Sequence, residues 1–165
     1  MIYEELLNEA ASNDIYVIEN AVFESQSDGL INNDVIGINK KIRDSRTRAC
    51  VLAEELGHFY TTTGDIIDQE EVQNRKQELH ARSWAYDRLI GLNAIIDCYK
   101  AGCKTLYEMA DHLDVTEAFL GKALEHYHRK CGLYKTLDNY VIYFEPHLCV
   151  FELRTKNEIL IPSTN

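Results

Sequence analysis

The stretch that decides the fold is Cys50-Val51-Leu52-Ala53-Glu54-Glu55-Leu56-Gly57-His58-Phe59-Tyr60-Thr61-Thr62-Thr63-Gly64-Asp65. At 3.6 residues per turn, Glu54 and His58 stand at i and i+4, on one face of a helix and about 40° apart. Leu52, Leu56 and Phe59 form an apolar stripe flanked by Ala49, Ala53 and Tyr60, while Glu54, Glu55 and His58 occupy the opposite side. An amphipathic helix thus carries two metal-ligating groups that point the same way.

Upstream, Asp44 or Ser45 suits the N-cap of this helix, which should run over about 45–62. Residues 3–12 read as a helix stopped by Ser12-Asn13-Asp14, and 15–19, rich in β-branched and aromatic residues, as a strand. Two short apolar runs within 28–39, about Asn32-Asn33-Asp34, read as a hairpin with one exposed edge. Downstream, 61–68 should be a loop and 70–90 a second long helix ending at Gly91 or a little beyond.

That second helix carries Glu78 and His80, two residues apart and so about 200° apart around it, which prevents both from facing one site. Ala81, Ala85, Leu89 and Leu92 fall within about 60° of Glu78, so periodicity favours Glu78 as the inward residue, with His80 the alternative. From Leu92 to Lys130 the pattern is helical throughout. Residues 105–130 look like a helix-turn-helix, with Thr116 as N-cap of its second helix and Gly132 as its end. The tail reads as a β-hairpin: strands over 140–146 and 148–153 joined at Glu145-Pro146-His147.

The 165 residues, 45% hydrophobic and 27% charged, suffice for one globular unit. A net charge of -10 gives no global attraction to phosphate backbones or anionic lipid, so nucleic acid is not the expected partner. Residues 105–130 are expected to pack on the core rather than enter a DNA groove. No run approaches the roughly 18 apolar residues of a membrane span, and the expected location is cytoplasmic. Five cysteines without a C-x-x-C pair fit reduced thiols.

The central helix has the layout of the zinc-protease motif H-E-x-x-H with the first His replaced, so that it reads E-E-x-x-H. Ala53-Glu54-Glu55-Leu56-Gly57-His58, the aromatic pair after it, Gly64-Asp65, and Arg75-Lys76-Gln77-Glu78-x-x-Ala81-Arg82-x-Trp84-Ala85 together resemble the ImmA/IrrE family of small metallopeptidases, specifically its phage or mobile-element members. The resemblance implies an α+β, mainly helical fold. It has a zincin-like core and small β-sheet over 1–92, followed by a helical C-terminal segment; with the helix-turn-helix-like unit and β-hairpin read above, residues 93–165 should pack on that core as one globular unit.

The resemblance also implies a reaction, peptide hydrolysis directed at a helix-turn-helix repressor. In the family, a Glu one turn before Ala-x-x-aromatic-Ala is the third metal ligand, which here is Glu78, with His80 kept as the alternative. Glu54, His58 and Glu78 would hold the ion, Glu55 would act as general base, and Leu30, Ile31, Val35, Ile36 and Ile38 of the hairpin would bind an extended substrate. Zn2+ is the expected ion, with Mn2+ open. A set of two carboxylates and one imidazole is neutral around a divalent cation, which makes a bound water less acidic and moves preference towards harder cations. The missing first His leaves a second expectation of a different class: a non-catalytic, repressor-binding regulator on a protease scaffold.

Overall fold

The computed structural model describes residues 1–62 and 71–153. The first helix, α1 (Ile2–Ser12), buries Tyr3, Leu6 and Ala10, which lie on one face at helical spacing. Asp14, with φ at 59°, turns the chain out of it into β1 (Tyr16–Ala21). The hairpin of β2 (Gly29–Asn32) and β3 (Val35–Asn39) follows, turning at Asn33 (φ 55°) and Asp34.

The sheet order is β1-β3-β2, so β3 is central and β2 lies at an edge. β1 runs parallel to β3, and β2 antiparallel to it in the register Gly29↔Ile38, Leu30↔Gly37, Ile31↔Ile36, Asn32↔Val35. Just beyond this ladder the Asn39 amide donates to the Asp28 carbonyl at 2.9 Å. Antiparallel pairs alternate between bonded and non-bonded, which makes Leu30 and Asn32 the bonded positions. The backbone N–H and C=O of Gly29 and Ile31 therefore face the open edge.

Helix α2 (Ser45–Thr61) carries the quoted stretch, and its N-cap is Asp44, whose carboxylate accepts from the amides of Arg46 at 3.1 Å and Thr47 at 2.9 Å. A hydrogen bond from the Thr47 side chain, and then the bonds from those amides, hold the Asp44 carboxyl below its ordinary value. Ala49, Leu52, Ala53 and Leu56 are fully buried, as the apolar stripe requires. Helix α3 (Glu71–Leu89) packs along α2 with Ala81 and Ala85 fully buried in the contact. The expected loop over 61–68 reaches beyond residue 62, and that part, with Gly64-Asp65, lies outside the described residues.

Gly91 was expected to end α3. It does so by turning the chain at φ 60° straight into α4 (Gly91–Lys100), with only Ile90 between the two helices. Helix α5 (Leu106–His112) opens on a capping box of Thr105 and Glu108, and α6 (Glu117–Cys131) on the Thr116 hydroxyl, ending at Gly132. The tail adds more than a hairpin. Three antiparallel strands, β4 (Tyr134–Leu137), β5 (Tyr140–Tyr143) and β6 (Cys149–Glu152), form a second sheet in that order. Tyr134-Lys135-Thr136-Leu137 escaped notice in the sequence because only Leu137 of the four is partly buried and the other three are exposed, leaving no apolar alternation to read.

The fold is thus mixed α/β. Buried side chains from α1 to β6 join one apolar cluster, including Leu52, Leu56, Ile95, Leu120 and Ile142. Polar ties cross it as well. Arg46 of α2 reaches Asp111 at 2.7 Å and Asp114 at 3.1 Å, and the buried Tyr127 of α6 donates to Asp87 of α3 at 2.8 Å. All five cysteines are free thiols, two of them buried. No helix among the described residues is long and apolar enough to cross a membrane.

Candidate active site

The site lies where α2, α3 and β2 meet. A Cβ on Gly57 would collide with the Ala81 carbonyl oxygen, so glycine lets α2 and α3 approach closely one residue before His58. At that approach His58 Nε2 stands 3.3 Å from Glu78 Oε1. The other carboxylate oxygen of Glu78 lies 3.3 Å from Arg82 Nη2, one turn on. A cleft of about 510 Å3 opens over the pair and is lined by Ile31, Asn33, Phe59, Thr62 and Asn74 besides His58 and Glu78.

Glu55 sits beneath the start of β2. A Cβ on Gly29 would fall 2.6 Å from Glu55 Oε1 and 2.6 Å from Val51 Cγ1, so only glycine admits this carboxyl under the edge strand. Burial pushes the Glu55 carboxyl up to about 7, helped by the neighbouring charges of Glu54 and Glu78. Glu54 is also raised by burial, and the charges of Arg82 and Lys122 oppose that rise.

Of the expected ligands, His58 and Glu78 come together. His80 does not join them: it is exposed and lines a separate cleft with Ser83, Trp84 and His126. His126 itself is buried, 3.0 Å from the Ser83 hydroxyl. Of the hairpin residues expected to meet substrate, Ile31 lines the cleft and Leu30 is exposed. Ile36 and Ile38 are fully buried in the central strand, and Val35 is half-buried there, as Ile31 is on β2, but does not line the cleft. Sequence reasoning missed Gly57, whose role depends on a neighbouring helix. It also missed Arg82 and Lys122, although the i, i+4 spacing of Glu78 and Arg82 was there to find.

The donor set can be tested against an ion. Ligands about 2.0–2.1 Å from a tetrahedral zinc stand about 3.3 Å from one another, which is the separation of His58 Nε2 and Glu78 Oε1. Both are donors that zinc and manganese accept. Among the described residues no group of three His, Cys, Asp or Glu side chains converges at metal-binding spacing, so Glu54 does not complete the set as placed. Two donors fit in kind and in distance, and Glu54 fits in kind and by its place one turn before His58.

No curated protein and no solved structure matches the chain significantly. A family model does: the IrrE N-terminal-like domain of the Peptidase_M78 family matches residues 10–125, a span that includes β2, α2, α3 and every residue of the site. The chain belongs to the IrrE N-terminal-like family of peptidases.

Proposed function

We propose that this protein is a cytoplasmic, metal-dependent endopeptidase of phage or mobile-element type that cleaves or inactivates a helix-turn-helix repressor. The observation that carries the reading is the pairing of His58 with Glu78 at 3.3 Å, beside the half-buried carboxyl of Glu55 and under an open strand edge. Membership of a peptidase family supports it, and the repressor as substrate rests on the resemblance of residues 53–85 to phage-type members.

His58 and Glu78, with Glu54 turned to join them, would hold a divalent ion, Zn2+ or Mn2+. Such an ion supplies Lewis acidity to the scissile carbonyl and to water. The remaining steps belong to the chain. The outward amide and carbonyl groups of Gly29 and Ile31 pair with an extended substrate and lay its backbone across the cleft. Glu55, held under the start of β2 beside these residues, accepts a proton from the attacking water and returns it to the leaving amine. Arg82, bonded to the second oxygen of Glu78, fixes that carboxylate and offsets the extra negative charge that Glu54 brings in place of histidine.

The test is cleavage of a purified helix-turn-helix repressor encoded beside this chain, with added Zn2+ or Mn2+, against Glu55→Gln protein. Discrete fragments that vanish with chelator and in Glu55→Gln support the reading. Undiminished repressor binding with no cleavage under any metal condition would replace it with a non-catalytic regulator.

A further inference from the structure

We propose that the cleft between α3 and α6 is a specificity pocket for an acidic side chain of the substrate peptide, a proposal that rests on the peptidase reading above. The cleft, about 650 Å3, takes Arg75 and Arg82 from one wall and Lys122 and Arg129 from the other. In a chain of net charge -10, four cations in one cleft are a local reversal of sign.

The positions follow from helical spacing. Lys122 and Arg129 stand at i and i+7 on α6, and Arg75 and Arg82 at i and i+7 on α3, so two turns of each helix face each other with like sign. The α6 cations are exposed rather than consumed by the core. Arg129 has a long ion pair with Glu125, 3.9 Å away and one turn back.

Continuity with the catalytic cleft makes this a substrate subsite. Asn74 and Glu78 line both cavities, so a peptide lying over His58 and Glu78 has its next side chains at the mouth of the cationic cleft. Two carboxylates, Glu78 and Glu125, also line it. The lining therefore keeps a modest positive excess, matched to one carboxylate, while its own carboxylates and the acidic surface repel a polyanion such as duplex nucleic acid. Leu79 and the ring of Tyr86 add an apolar wall for the methylenes of a glutamate.

The test uses full-length protein and acetylated, amidated peptides randomised at their central positions. Two readouts run in parallel: cleavage by the metal-loaded wild type, and equilibrium binding to Glu55→Gln protein. Wild type should select Asp or Glu at one fixed position from the scissile bond, by about tenfold over Gln, the worth of one charge-assisted contact. The exposed double variant Lys122→Glu/Arg129→Glu should reverse the choice to Lys or Arg, while Lys130→Glu, outside the cleft, should leave it alone. Acid selection in binding without any cleavage would keep the pocket and sink the peptidase reading. Cleavage with no acid preference, or a preference indifferent to charge reversal, would overturn the pocket and keep the peptidase. Absence of both, or competition at this cleft by duplex DNA in place of acidic peptide, would overturn the proposal.

Discussion

Gly57 of α2 lies directly against the carbonyl oxygen of Ala81 of α3, and this contact sets the distance between the two helices that supply the site. A methyl group there must push α3 away at the point where His58 meets Glu78. Gly57→Ala should therefore destabilise the protein by about 2 kcal/mol, within the usual cost of overpacking, even though alanine is the better helix former. Thermal unfolding checks this: a melting temperature equal to or above wild type would show that the helices are not in contact here.

The two candidate third ligands on α3 make opposite predictions. Because Glu78 pairs with His58 and His80 faces another cleft, Glu78→Ala and His58→Ala should each lower bound metal to a small fraction of wild type, and His80→Ala should leave it unchanged. Elemental analysis after reconstitution with Zn2+ or Mn2+ reads this directly. Loss of metal in His80→Ala alone would exchange the roles of the two residues.

Glu55 should link stability to pH in protein held metal-free by a chelator. Its folded-state carboxyl, at about 7, lies above the ordinary value of 4.5, so the folded chain binds this proton more tightly than the unfolded chain. The associated stability is present below the ordinary value and is lost as pH rises through about 7. Glu55→Gln removes that loss: it should raise the melting temperature on the order of 5 °C at about pH 8 and have little effect at about pH 4. A difference independent of pH would show that Glu55 is not buried beneath Gly29.

The strand edge can be probed one amide at a time. The Ile31 N–H faces outward, whereas the Leu30 N–H is bonded to Gly37 across the ladder. Proline is tolerated in an edge strand only where the lost donor faces solvent. Ile31→Pro should keep the fold, judged by circular dichroism and melting, and abolish peptide hydrolysis, while Leu30→Pro should destabilise the sheet itself. Full activity in Ile31→Pro would rule out substrate pairing along β2.

Tyr127 ties α6 to α3 from inside the core, its hydroxyl donating to Asp87. Tyr127→Phe should cost about 1 kcal/mol in chemical denaturation, the net worth of one hydrogen bond, because the ring remains and Asp87 is exposed to water. A cost of several kcal/mol would mean that the hydroxyl also orders the packing around it.

By itself the sequence determined whatever is local or periodic. Glu54, Glu55 and His58 fall opposite Leu52 and Leu56 because a helix repeats every 3.6 residues, and Ala81, Ala85 and Leu89 mark the buried face of α3 for the same reason. Asp44 and Thr116 are legible as caps because capping is a bond between near neighbours. The turn at Asn33-Asp34 announces the hairpin, but its strand order is not local: the parallel addition of β1 to β3 buried Ile36 and Ile38 and left only β2 as the open edge by the cleft. Tertiary structure alone decided that Gly57 would be a contact between helices, that Gly29 would make room for Glu55, and that Lys122 of α6 would share a cleft with Arg82 of α3. Each of these depends on which surface of one element meets which surface of another. That choice is made by burying the apolar faces together, and no window along the chain contains both partners.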